Sequence, residues 1–394
     1  MPFLQRYAEV LSPAGATSAL LASVVGRLSV GMNGLALLIL VRATSGSYAT
    51  AGAVAAAYAV SLAVGSPSRA RSADRRGAAR ILALCAVIHP AAVVGLVLFA
   101  DAGAPTLALV GAALLMGVTV PPLGSVMRAL WGSLVVPAAL PTAYALESVV
   151  VELCFVVGPL LVALLVGAGQ SVPLIVSATA ATVGALWLAS SGRVRATQPH
   201  PERSVHLAGP LVNPVVRACL LNALFVGAGF GTIEVGVLAF VREEGSAGVA
   251  TGVVLAVWSL GSMVGGLVYG SLRPRAPATR QLPALVTAVA VGACLPVLAP
   301  GVVALGALLA LSGSTIAPFS ACNSVLLGAS APTGTVTEAF AWNASMIFGG
   351  AAAGTAVAGV LIDAYGARAA FGATVVTAVL LLASCWRGLN VVRG

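Results

Sequence analysis

The chain has 394 residues, of which 59% are hydrophobic and only 8% charged, with a mean hydropathy of +1.05. A water-soluble domain carries charge on about a quarter of its residues, so a soluble enzyme or a separate soluble domain is excluded. The formal charge of +9 comes from arginine alone, because the sequence has no lysine. These arginines sit mostly in short loops between apolar runs, which fits a membrane topology signal rather than a nucleic-acid surface.

A spanning helix takes roughly 20 apolar residues. In chain order the apolar runs are 16–41, 47–68, 80–100, 104–130, 141–167, 171–190, 213–241, 246–271, 281–300, 302–328, 335–362 and 368–387. They predict an all-α membrane protein with twelve transmembrane helices. The polar stretch 191–212 divides it into an N-terminal half (1–190) and a C-terminal half (213–394), with a cytoplasmic linker between them. About fifteen mixed residues precede the first run and carry no signal-peptide pattern.

Arginines set the orientation. The side holding both chain ends carries Arg6, Arg69, Arg71, Arg75, Arg76, Arg80, Arg193, Arg195, Arg203, Arg273, Arg275, Arg280, Arg387 and Arg393, and the other side only Arg42, Arg242 and Arg368. Both termini are therefore expected in the cytoplasm. Trp131, Trp187 and Trp386 fall near span ends on that side and suit an interfacial belt. The lack of lysine, with abundant Ala, Gly and Val, reads as bacterial coding, which places the chain in a bacterial cytoplasmic (inner) membrane. Six cysteines lie inside apolar runs without CxxC spacing and read as packing residues, neither disulfides nor metal ligands.

The halves repeat. Residues 31–42 align with 231–242 at a shift of 200, which also places Tyr58 on Trp258 and Gly65 on Gly265; residues 143–148 align with 339–344 at a shift of 196. Parallel repeats place a binding site between the halves near the midplane.

After span 2 the chain reads Ala70-Arg71-Ser72-Ala73-Asp74-Arg75-Arg76-Gly77. This resembles the loop signature of the major facilitator superfamily, Gly-x-x-x-Asp-Arg-x-Gly-Arg-Arg/Lys. Asp74, Arg75 and Gly77 fit; Ala70 replaces the first glycine, and Ala78 and Ala79 the trailing basic pair. Span 5 carries Gly158-Pro159, similar to the core of a motif in proton-driven drug exporters of that superfamily, with Cys154 and Val162-Ala163 in place of its flanking glycines. A Gly-Pro pair also bends any membrane helix, and the two readings have equal standing. The resemblance implies two six-helix halves that alternate access to a central site, with the loop acting as a latch.

A charge at the membrane centre costs roughly 2.5–3.5 kcal/mol, so it normally faces a partner or a wet cavity. Four stand out: Arg27 in span 1, Glu147 and Glu152 in span 5, and Glu234 in the outer half of span 7. Spans 1 and 5 are neighbours in the resembled fold, which pairs Arg27 with Glu152, as a structural ion pair or a functional one. Glu147 is left for a link to Arg128, which otherwise snorkels. Glu234 has no arginine at its depth and is the first choice for a reversible proton carrier, against a permanently protonated carboxyl. Asn33, Asn222, Trp258, Trp342 and Asn343 are candidate cavity-lining residues. Thr335 to Glu338 fits a capping box opening span 11, and His89 before Pro90 reads as a packed kink.

No residue pattern supports catalysis, a metal site or a cofactor. The expected partners are a small-molecule substrate, protons and membrane lipid, with the chain working as a monomer. The favoured reading is a secondary transporter exporting a small organic molecule in exchange for protons. Proton symport or uniport of a nutrient is the alternative within transport. A multipass membrane enzyme, a channel or a transporter-derived sensor are the alternatives outside it.

Overall fold

A computed structural model describes residues 2–197, 208–245, 248–272 and 276–393. Twelve helices in them are long and apolar enough to cross a membrane. Spans 1 to 6 are Ala16–Ser45, Tyr48–Arg76, Ala78–Asp101, Thr106–Leu134, Pro137–Ala168 and Val172–Ser190. Spans 7 to 12 are Pro214–Glu243, Ala250–Ser271, Ala278–Leu298, Val302–Ser330, Val336–Tyr365 and Ala367–Trp386. Their number and order are those expected from the apolar runs. Arg203, Arg273, Arg275 and most of the linker lie outside the described residues. We call the face at which spans 2, 4, 6, 8, 10 and 12 end the terminal face, since both chain ends belong to it.

Without a hydrophobic drive between helices, membrane bundles hold together by close approach at small residues. Span 5 crosses span 1 with Gly158 against Gly31: a Cβ on Gly158 would lie 2.6 Å from the Gly31 carbonyl carbon. Gly158 is therefore a packing residue as well as part of a Gly-Pro pair. Other contacts recur at the shifts of the repeat. Gly65 packs on Val118 and Gly265 on Ser314, while Gly117 meets the Tyr58 carbonyl and Gly313 the Trp258 carbonyl.

Two spans are not continuous. Span 4 is helical over Thr106–Thr119 and again over Leu123–Leu134, and span 10 over Val302–Gly313 and Ile316–Ser330. The apolar runs hide both breaks, because hydropathy does not register a backbone interruption inside a buried segment. Five of the cysteines are buried and Cys294 partly so, all with free thiols.

Candidate functional site: the charged seam between the halves

On the terminal face the loop after span 2 grips the other half. Gly77 ends span 2 at φ +91° and its N–H bonds to the Ala73 carbonyl, a conformation that a glycine adopts without strain. One turn earlier Asp74 reaches across. Its carboxylate accepts from the backbone N–H groups of Thr337 at 3.3 Å and Glu338 at 2.9 Å. These are orphan donors in the first turn of span 11, where negative charge is favoured.

The expected capping box is thus corrected. Thr335 makes no side-chain cap bond, and its hydroxyl donates to the Pro332 carbonyl instead. Glu338 does not reach back to Thr335 either. It takes a two-pronged bond from Arg71, Nη2 to Oε1 at 2.6 Å and Nε to Oε2 at 3.0 Å, and a further one from Trp342 Nε1 at 3.3 Å. Arg75 lies next to Asp74 in the same turn. A second seam joins spans 5 and 8: Thr142 Oγ1 donates to the Gly270 carbonyl at 2.6 Å, and the Tyr7 hydroxyl, from helix Pro2–Leu11, donates to the Leu267 carbonyl at 2.8 Å.

Deeper in, Arg27 pairs with Glu147, not with Glu152. Arg27 Nη1 lies 2.6 Å from Glu147 Oε2, and Glu147 is fully buried. Trp131 Nε1 donates to the other carboxylate oxygen at 3.2 Å. Glu147 and Glu152 are five residues apart and so point about 140° from each other; only Glu147 faces span 1. Trp131 is correspondingly a core residue, while Trp187 and Trp386 are exposed. Arg128 lies close enough to sense both charges but forms no ion pair with Glu147.

Glu152 faces span 8 across the halves, towards the hydroxyls of Ser259 and Ser262. Nearby, Phe155 and Phe348 meet with centroids 6.5 Å apart, and both stay more than one-third exposed. From there to the terminal face the seam is closed, with Ser345 Oγ donating to the Ala63 carbonyl at 2.5 Å and the Tyr144 ring tilted against Phe340, centroids 5.6 Å apart. Towards the opposite face no hydrogen bond joins the halves among the described residues. The hydrogen bonds that join the halves among the described residues therefore gather towards the terminal face.

Glu234 is exposed and has no hydrogen-bond or ion-pair partner among the described residues. Thr232 and Gly236 on the same helix pack on Thr374 and Phe371 of span 12. At 100° per residue, Glu234 lies on the side of span 7 turned away from span 12.

Several expected cavity residues sit elsewhere. Asn33 is buried inside the N-terminal half, donating to the Tyr58 hydroxyl at 2.9 Å and accepting from Ser177. Asn222 accepts from Ser384 at 2.6 Å inside the other half. Asn343 accepts from Asn323 at 3.3 Å, whereas Trp258, edge-on to Phe230, does line a cavity within the C-terminal half, with Phe225, Ile233 and Ile316. A polar residue inside an apolar run marks a buried hydrogen bond as readily as a cavity wall, and hydropathy does not separate the two. His89 is the packed residue expected, with Nδ1 3.2 Å from Thr119 Oγ1. The residues missed, Phe155, Phe348, Ser259 and Ser262, carry no charge to single them out.

A model of the family described as Major Facilitator Superfamily matches residues 19–305. Among solved structures, a bacterial homologue of the iron transporter ferroportin in an outward-facing state is 14% identical, with 95% of this chain and 98% of that one covered and a TM-score of 0.80. The human organic anion transporter TETRAN is 16% identical over 94% and 98%, with a TM-score of 0.75. The proton:xylose symporter XylE is 10% identical over 94% and 95%, with a TM-score of 0.71. No curated protein sequence matches the chain.

Proposed function

The chain belongs to the major facilitator superfamily, and we propose that it is a secondary active transporter that exports a small organic molecule in exchange for protons. The arginine bias supports a cytoplasmic terminal face, and on this reading the face without hydrogen bonds between the halves opens to the outside. The membrane is a bacterial cytoplasmic one, the chain works alone, and no chemical step is needed. The observation that carries the coupling is Glu234, an accessible carboxyl without a partner among the described residues, on the side of span 7 turned away from span 12. A carboxyl in an apolar wall takes up and releases a proton most readily when no cation holds it. In the outward-open state Glu234 loads from outside, and closure of that face carries the proton inward.

Thermal-shift screening of the purified protein against organic anions, cations and sugars identifies a ligand first, because binders of the folded state raise its stability. In proteoliposomes loaded with that ligand, an acid-outside gradient is expected to drive it out. Glu234→Gln should retain ligand exchange at equilibrium but lose gradient-driven export. Ligand accumulation under the same gradient supports symport instead, and gradient-driven flux that survives Glu234→Gln moves the carrier to Glu152.

A further inference from the structure

The break in span 4 explains a buried arginine that the transport reading leaves without a role. Arg69, near the terminal end of span 2, is only 9% exposed and has no carboxylate partner among the described residues. Opposite it span 4 reads Val118-Thr119-Val120-Pro121-Pro122. In a continuous helix the Gly117 and Val118 carbonyls bond to the N–H groups of residues 121 and 122. Both are proline and have none. Leu123 N–H turns back to the Pro121 carbonyl at 2.8 Å, so Thr119 loses its usual donor as well.

An unpaired carbonyl at this depth has no water to turn to. Arg69 Nη1 fills the place of the missing donor, 2.5 Å from the Val118 oxygen. One turn before Arg69, Gly65 leaves room for it: a Cβ there would stand 2.6 Å from Nη1 and 2.8 Å from a Val118 methyl. Gly65, Arg69 and the Pro-Pro pair form one unit.

The other half supplies a comparison. Span 10 breaks at the equivalent place and keeps one of the two prolines, Pro318, at the shift of 196 from Pro122, with Ala317 in place of Pro121. Ser314 N–H bonds to Ala310 and Thr315 N–H to Ser312. Residue 269, where the repeat puts the counterpart of Arg69, is a tyrosine that bonds to Gln281. An arginine thus stands opposite the proline pair of span 4, and a tyrosine opposite the single proline of span 10.

The segment beyond the break, Leu123–Leu134, carries Trp131 and Arg128. Its first turn also abuts Arg27, since a Cβ on Gly124 would lie 3.5 Å from Arg27 Nε. We propose that Arg69 is a positioning residue, which pins the broken span 4 so that this segment holds the Arg27–Glu147 pair. It acts through the Val118 carbonyl and touches neither charge.

The test needs no substrate. In full-length protein carrying Gly124→Cys, maleimide labelling at that position is followed peptide by peptide, with the buried Cys322 and Cys385 of the other half as internal controls. Arg69→Leu should raise the Gly124→Cys rate about tenfold, the effect of one buried carbonyl left unpaired, while the controls stay unchanged. Adding Pro122→Ala restores an N–H to Val118 and should return the rate to that of the parent. Arg69→Lys, which keeps a cationic donor, should stay close to the parent. If the controls rise in step with Gly124→Cys, if Pro122→Ala fails to rescue, or if Arg69→Leu has no effect, the proposal is overturned.

Discussion

The Arg27–Glu147 pair is a buried charge system with an excess cation beside it. Removing one member of such a pair costs about 3–5 kcal/mol, because the other charge is left in the apolar interior, whereas removing both is often neutral. Arg128 makes the two single changes unequal. Glu147→Gln leaves two guanidiniums with no counter-charge, while Arg27→Gln leaves Glu147 with Arg128 still beside it. In detergent, Glu147→Gln should therefore lower the thermal midpoint more than Arg27→Gln, and the double variant should lie above Glu147→Gln. Equal and additive losses would show that the two side chains do not share one energy. The sequence made both residues visible, since a charge inside an apolar run is hard to miss. It did not reveal their pairing, which turns on whether position 147 or 152 faces span 1, a matter of helix rotation. Glu338 is a similar case. Its spacing from Thr335 fits a local cap, but Arg71 and Asp74 come from 267 and 264 residues away, a distance that no local pattern encodes.

At the scale of the helix, glycine placement decides how closely spans meet. The Gly158-Pro159 pair allows two readings, a bend caused by proline and a close approach caused by glycine, and they predict different variants. Because a Cβ at 158 would fall within 3 Å of the Gly31 backbone, Gly158→Ala has to force spans 1 and 5 apart. Overpacking of this kind costs about 1–3 kcal/mol. Pro159→Ala removes no contact of that sort and returns a backbone donor. Thermal midpoints should fall for Gly158→Ala and hold for Pro159→Ala; the reverse order would make the bend the essential feature. The twelve spans were legible because length and apolarity are what a bilayer demands of a helix. The interruptions in spans 4 and 10 were not, since Pro121-Pro122 and Gly313-Ser314 leave the hydropathy of their runs unchanged.

On the scale of the whole molecule, the hydrogen bonds between the halves fasten one face, and the proposed cycle has the other face open. Asp74 at the start of span 11 and Arg71 on Glu338 make the fastening, and the exposed rings of Phe155 and Phe348 mark where it ends. Alternating access requires this fastening to break while the opposite face closes, and the two states differ by only a few kcal/mol when both are used. Loss of the latch should then shift the population towards the other state. The repeat and the loop signature pointed to this design from the sequence; which face stands open is a property of packing between halves, which no single segment records. The most direct measurement replaces Phe155 with cysteine and follows its reaction with a membrane-impermeant maleimide from each side of the membrane. With the latch intact, labelling is predicted from outside intact cells and not from inverted vesicles. In the Asp74→Asn, Arg71→Gln background the outside rate should fall and the inside rate rise together. Labelling at full rate from both sides of one preparation, or a pattern untouched by loss of the latch, would contradict the account.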